Sequence, residues 1–355
     1  RSTRAKFIDR GRETTVRKIA SGVYQIKVPM PRNPEIPDGG LGYTLVYLIE
    51  SHDGWTMIDS GWNTREGLDA LDKQLHATGA EWTDVRDLIV THFHSDHLGL
   101  AAAVKERSGA RLIMHELDAP EALARRWSTG IDARRKEFTL WAVAQGVPRD
   151  DSRHMGPPNR PEAMNDLQVT AELQVRGNEV LRRDGMELHV LWTPGHTPGH
   201  ISIYDPQRKL LFSGDHLLPR ITPNISYIPT IGGSPLSDYL RSLDELEHLE
   251  VKHVLSPHEG TFHGLQKRLG ELRRHHSSRM RQMLRALRDG PRTAWQIASR
   301  VKWRVGAWEH LSLRTRLFSL KETVAHLRHM VDEGILREAP RDGVVYYELV
   351  KPAKA

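Results

Sequence analysis

Between Gly22 and Gly61 apolar residues come in short runs separated by turn formers, a pattern that predicts strands and turns. "TLVYLIE" (44–50) and "WTMIDSG" (55–61) flank the turn "SHDG" and predict a hairpin. The period then changes. In "TREGLDALDKQLHATG" Leu68, Leu71 and Leu75 lie on one face of a helix that stops at Gly79. "DLIVTH", a helix after Leu98 and "ARLIMH" (110–115) continue the alternation of strand and helix, which is a layered α/β pattern. Strands resume at "MELHVLWTPGH" (186–196), "KLLFSGDH" (209–216) and "VKHVLSPHEG" (251–260). The helix "SPLSDYLRSLDELEHLE" precedes the last of these, with Leu240, Leu243, Leu246 and Leu249 read as its apolar side.

Residues 119–165 break this rhythm. "PEALARRW" and "DARRKEFTLWAVAQGV" predict helices, followed by the Pro- and Asn-rich "MGPPNRPEAMND". Such an insertion serves either as a lid or wall over a site or as a structural excursion, and its aromatics Trp127, Phe138 and Trp141 would line a pocket or form helix core accordingly. Beyond Thr261 a long helix, "LQKRLGELRRHHSSRMRQMLRALRDG", ends at Gly290-Pro291. After it come the helix "TAWQIASRV", a segment of mixed character, the helix "LKETVAHLRHMVDEG" and two apolar runs joined by Asp-Gly, which predict a hairpin. Helix, helix and hairpin in this order predict a winged-helix arrangement. The expected domains are therefore a layered α/β domain over 1–262, a linking basic helix over 263–290 and a winged-helix-like domain over 291–355.

Composition narrows the chemistry. The 355 residues include no cysteine, so disulfides, thiolate zinc sites and a cysteine nucleophile are excluded, leaving His, Asp and Glu as candidate ligands. No run approaches the roughly 20 apolar residues of a membrane span, and the N-terminal segment lacks the apolar centre of a secretory signal. A soluble, cytoplasmic protein with no membrane partner is expected. The chain opens on Arg1 rather than methionine, which leaves room for a removed leader or tag. Of the formal net charge of +6, residues 261–355 hold 20 Lys+Arg against 9 Asp+Glu, a local balance of +11.

Three histidines and an aspartate crowd "THFHSDH" directly after the apolar run Leu88, Ile89 and Val90. His92, His94, Asp96 and His97 thus follow one predicted strand; Asp59, His196, Asp215 and His258 each follow another. The carboxyl edge of a sheet is where loops converge above a rigid support. Imidazoles and carboxylates suit zinc, manganese or iron, and one shared carboxylate can hold two cations roughly 3.5 to 4 Å apart. Such a pair lowers the pKa of a coordinated water to about 7, so that hydroxide is available without a protein nucleophile.

These residues carry a resemblance. "THFHSDH" resembles the HxHxDH motif of the metallo-β-lactamase superfamily, with "MIDSG" before it and "TPGHTPGH", "FSGDH" and "SPHEG" after it in the expected order. The resemblance covers residues 18–262 and implies an α/β fold, the αββα sandwich, followed here by the C-terminal module. It implies that His92, His94 and His196 bind one metal, that Asp96, His97 and His258 bind a second, and that Asp215 bridges them. Asp96 and Asp59 are the implied catalytic residues, Asp59 acting by orienting a ligand. His200 reads as structural, and His216 and His263 either touch substrate or, the favoured reading, are packed or solvent-facing histidines. One departure from the pattern is Glu259, where a small residue is usual.

Retention of Asp215 and the lack of cysteine argue against β-lactam hydrolysis as the main activity. The full His/Asp set is similar to that of glyoxalase II, thioesterases, lactonases and nucleases of the superfamily. The expectation is a two-metal hydrolase, most readily with zinc, that uses metal-bound hydroxide on a small ester, thioester or lactone. The alternative is an endoribonuclease whose basic module holds RNA. On the first reading the module is an accessory, a dimerisation element or a cap; if it is only an accessory, deleting 291–355 should spare ester hydrolysis.

Overall fold

Strands read as nearly continuous apolar runs when both their faces are covered, and the centre of this protein is built from such strands. The computed structural model describes residues 16–31, 40–126, 128, 130–154 and 169–350. The first sheet is ordered β1 (Arg17–Ala20), β2 (Val23–Pro29), β3 (Tyr43–Ser51), β4 (Gly54–Ile58), β5 (Val85–Ile89), β6 (Arg111–His115) and β7 (Leu173–Val175). Pairing is antiparallel up to β4 and parallel from β4 to β7. Helix α1 (Arg65–Ala77) makes the crossover from β4 to β5, capped where Thr64 Oγ1 accepts from Gly67 N at 3.0 Å. Helices α2 (Ser95–Leu98) and α3 (Ala101–Ser108) lead to β6. The second sheet runs β13 (Thr261–Phe262), β12 (His253–Leu255), β11 (Leu210–Phe212), β10 (Ile201–Asp205), β9 (Met186–Trp192) and β8 (Val180–Arg183).

Alternation along β3 builds the layers. Leu45, Tyr47 and Ile49 point to the space between the sheets, where they meet Leu188, Val190, Ile203 and Phe212. Val46 and Leu48 point the other way, to Leu71 and Leu75 of α1 and Val104 of α3. The outer face of the second sheet is covered by α7 (Pro235–Leu246) and the first half of α8 (Leu265–Ala286). The order is helix, sheet, sheet, helix. On α7 the buried stripe is Leu236, Tyr239, Leu243 and Leu246; Leu240 is half-buried and Leu249 lies past the helix end. A strict three-residue spacing drifts around a 3.6-residue helix, whereas spacings of three, four and three stay on one face.

The interruption after β6 contains α4 (Pro120–Arg126), α5 (Ile131–Ala144) and α6 (Arg149–His154). Its Pro- and Asn-rich loop and Trp127 lie outside the described residues. Phe138, Ala142 and Val147 share a core with Met283, Ile297, Leu327, Leu336 and Tyr347, so the insertion closes on the C-terminal part of the chain. That part comprises the end of α8, β14 (Arg292–Thr293), α9 (Ala294–Ala298), α10 (Leu313–Asp332), β15 (Leu336–Arg341) and β16 (Val344–Leu349), with strand order β14-β16-β15. The hairpin turns on Asp342 and Gly343, with φ of 49° and 76°, the left-handed pair that a two-residue turn requires. Trp295 N donates to Gln145 O at 3.0 Å and Tyr347 Oη to Gln145 Oε1 at 3.1 Å across the junction. Among the described residues no helix is long and apolar enough to cross a membrane.

Candidate metal centre

All seven candidate ligands, and Asp59, follow the carboxyl ends of β4, β5, β9, β11 and β12, so one edge of the two sheets carries the whole set. Two turns approach so closely that only glycine fits. At Gly195 (φ 136°) a Cβ would lie 2.4 Å from Tyr239 Cβ; at Gly214 (φ 49°) it would lie 2.5 Å from His200 Nε2. These glycines immediately precede His196 and Asp215 and let both side chains reach the same space.

Two groups form. His92 Nε2 and His196 Nε2 lie 3.0 and 2.9 Å from His94 Nδ1, and Asp215 Oδ2 is 3.4 Å from His196 Nε2. In the second group His258 Nε2 is 3.2 Å and His97 Nε2 3.5 Å from Asp96 Oδ2. Asp215 also faces this group, with Oδ1 at 3.2 Å from His258 Nε2 and 3.6 Å from His97 Nε2. His92, His94, His196 and Asp215 on one side, and Asp96, His97 and His258 on the other, are each close enough to hold one ion.

Outer hydrogen bonds orient these rings. Asp59 Oδ2 accepts from His97 Nδ1 at 2.7 Å, while Asp59 Oδ1 accepts from Thr91 N at 2.8 Å. Asp59 itself sits in the left-handed region with φ of 60°, held by its N–H to Ile89 O at 2.8 Å. His196 Nδ1 donates to Asn224 O at 2.9 Å, and His258 Nδ1 to Tyr43 O at 3.3 Å. Each such bond puts the N–H on the outside and turns the other ring nitrogen inward.

The two groups differ electrically. Burial, aided by the His196 imidazole, pushes His94 down to about 3. His92 and His196 are also pushed down, mainly by burial, so three neutral nitrogens face one another. Burial acts the same way on His97, but Asp59, Asp96 and Asp215 outweigh it and lift that ring to about 9. His258 is raised as well, burial being outweighed by Asp215 and Asp96. Three carboxylates in one buried site call for positive charge, and among the described residues their ion-pair partners are imidazoles alone.

This donor set fits metal cations. His97 Nε2, Asp215 Oδ1 and His258 Nε2 are buried without a hydrogen bond although they lie within 3.6 Å of one another's groups. Nitrogens bound at about 2.0–2.1 Å around one tetrahedral zinc would stand roughly 3.3 Å apart, near the spacing seen for His92, His94 and His196.

The remaining histidines stay out of both groups. His200 Nδ1 pairs with Thr193 Oγ1 at 2.8 Å, His216 packs its ring on Tyr239 at 4.8 Å, and His263 stacks on His253 at 4.1 Å. Tyr227 stacks on Trp141 at 6.0 Å, so that side of the insertion packs rather than lining a pocket. Glu259 has a role that the motif did not suggest: Oε2 accepts from Arg220 N at 3.0 Å and Ile221 N at 2.9 Å, strapping the segment after Asp215 to the His258 turn. Asp118 likewise accepts from Thr197 Oγ1 at 2.5 Å and Gly199 N at 2.7 Å behind His196. The chain marked Glu259 only as a departure from the motif and Asp118 not at all, because each acts on groups distant in sequence. A cavity of about 130 Å³ opens beside His196 between Pro198, Ser226, Ile228, Ile231, Pro235 and Asp238.

Residues 39–258 match the family model described as the metallo-beta-lactamase superfamily. The chain is 26% identical to the probable metallo-hydrolase YqjP of Bacillus subtilis over 93% of its own length and 98% of that protein. It is 28% identical to the human acyl-coenzyme A thioesterase MBLAC2, over 61% of this chain and 73% of the other. A metallo-beta-lactamase family protein from Thermus thermophilus superposes with a TM-score of 0.71 at 30% identity, covering 94% of this chain and all of that one. Ordered motifs, layered sheets and converging His/Asp groups agree with these matches: the chain belongs to the metallo-β-lactamase superfamily, whose members are mostly hydrolases.

Proposed function

We propose that the protein is a binuclear metal-dependent hydrolase of a small ester, thioester or lactone. The observation that carries this reading is Asp215, one oxygen of which faces the His92, His94 and His196 group while the other faces Asp96, His97 and His258. His92, His94 and His196 would hold one ion, Asp96, His97 and His258 the other, and Asp215 would bridge them. Imidazole and carboxylate donors favour zinc, with manganese or iron as alternatives. Divalent cations bound there supply Lewis-acid polarisation of a carbonyl and activation of water.

The chain's own groups do the rest. Asp96 accepts the proton of the attacking water at its carboxylate, and Asp59 keeps His97 in the tautomer with Nε2 inward. The cavity beside His196 takes the acyl part of the substrate, its Ile and Pro walls excluding water. Likeness to an acyl-coenzyme A thioesterase supports a thioester over a β-lactam. We read the unit from residue 291 to 355 as winged-helix-like, joined by the basic helix of residues 263–290 to a hydrolase domain ending at 262; its helix, helix, hairpin order supports that reading. The C-terminal balance of +11 favours RNA cleavage as the second reading.

The test is elemental analysis of purified protein followed by rates on a thioester, a lactone, an aryl ester, a β-lactam and a single-stranded RNA. About two metals per chain with carbonyl hydrolysis and inert RNA is the expected result. RNA cleavage that weakens with salt, with carbonyl substrates inert, would replace the proposal by the second reading.

A further inference from the structure

Helix α8 has 22 residues and is therefore about 33 Å long. It begins beside the metal centre's last strand and ends in the C-terminal core, where Met283 and Ala286 are buried. A concavity of about 300 Å³ opens at that far end, lined by Gln282, Arg285, Ala286, Asp289, Arg292, Arg300 and Lys302. Four cations and one carboxylate leave it with a charge of +3.

Two of the cations are anchored. Arg292 Nε donates to Ala286 O at 2.7 Å, covering a carbonyl at the helix end that would otherwise repel an anion, and Arg300 donates to Gln296 O at 2.8 Å. Lys302 has its backbone held from both sides, by Gln282 Oε1 at 3.0 Å and Arg279 at 2.8 Å, which sets where its side chain starts. Asp289 lies 3.7 Å from Arg292. Among the described residues the Arg285 guanidinium and the Lys302 ammonium make no hydrogen bond or ion pair. A solvated basic face needs neither concavity nor anchored guanidiniums, and like charges gathered this way repel until an anion joins them.

We propose that this concavity is a binding site for a diphosphate group. Guanidinium forks match phosphate oxygens in pairs, and the lysine adds a mobile charge. A charge of +3 exceeds the roughly −1.5 to −2 of one phosphate monoester near neutral pH, which points to two phosphoryl groups. These can belong to a free diphosphate ester or to neighbouring phosphates of a nucleic-acid backbone. The site is independent of the metal centre and of the hydrolase reading.

The experiment is calorimetric titration of the metal-loaded full chain with ADP as the diphosphate probe at low ionic strength. Binding should weaken as salt rises, and the Arg285→Gln, Lys302→Gln double variant should bind about tenfold or more weakly with ester hydrolysis unchanged. Lys73→Gln, which removes an exposed charge from α1, should bind as the wild type does. An Asp215→Ala protein should also retain the site, which separates it from ADP held by the metals. Competition by a single-stranded oligonucleotide identifies a backbone as the source, and its absence a free ester. No ADP binding, or binding unaltered in the double variant, overturns the proposal.

Discussion

Asp215 Oδ2 lies 3.4 Å from His196 Nε2 and Asp215 Oδ1 lies 3.2 Å from His258 Nε2, so one side chain serves both halves of the site. Removing it leaves two sets of donors around a gap with nothing between the cations they would hold. Asp215→Ala should therefore lose metal and turnover together, by about a hundredfold or more in rate, measured by elemental analysis and thioester hydrolysis on one sample. Normal occupancy with normal turnover would remove Asp215 from the centre. Glu259 shows a different kind of residue effect. In the chain it is only a departure from a motif; in the fold its carboxylate satisfies two backbone N–H groups of residues 220 and 221. No local pattern reports that, because the partners lie 38 and 39 positions away.

At the scale of elements, α8 and α10 meet through polar groups as well as apolar ones. His276 Nδ1 donates to His326 Nε2 at 3.0 Å, and His326 Nδ1 donates to Glu322 O at 2.8 Å. Burial pushes His326 down to about 3; the bond to Glu322 O opposes this, and Arg279, His275 and His329 reinforce it. In the unfolded chain the ring titrates near 6.5, so between about pH 6.5 and 3 the unfolded state binds the extra proton. The sign follows: this group's contribution is complete above about pH 6.5 and is lost as pH falls, at up to about 1.4 kcal/mol per pH unit. Denaturation midpoints measured from pH 7 to 4 should fall less steeply for His326→Gln than for the wild type. Equal slopes would place the acid sensitivity elsewhere. The presence of these helices and the hairpin was legible from periodicity and the Asp-Gly turn, but α10 starts at Leu313, inside the segment read as mixed, and the choice of His276 and His326 as partners was not legible, since they lie 50 positions apart on separate helices.

Over the whole molecule, the C-terminal unit is built into the rest. Tyr227 N donates to Lys321 O at 3.1 Å and Arg328 Nε to Gly233 O at 2.8 Å, so α10 supports the segment that lines the cavity beside His196. Phe138, Ala142 and Val147 of the insertion depend on the same unit for burial. The expectation that residues 291–355 are a removable accessory gives way to this shared core. Each large apolar side chain uncovered costs about 1.5–3 kcal/mol against a total stability of about 5–15 kcal/mol, so several are enough to unfold the protein. Deleting 291–355 should give an aggregating or molten product with little hydrolase activity, read by soluble yield and near-ultraviolet circular dichroism. A soluble deletion variant with normal turnover would show that the hydrolase stands alone.

The chain by itself determined the metal ligand candidates and the layered α/β pattern, because clustered histidines and the periods of two and 3.6 residues are local properties. Asp59, His196, Asp215 and His258 were also legible, each following an apolar run that had to be a strand. Only the tertiary structure decided that Asp215 divides its oxygens between two groups, that Glu259 and Asp118 brace the loops, and that the insertion's aromatics join the C-terminal core. Those outcomes depend on which distant surfaces meet, and packing of that kind is settled by the shape and burial of the whole chain rather than by any one stretch of it.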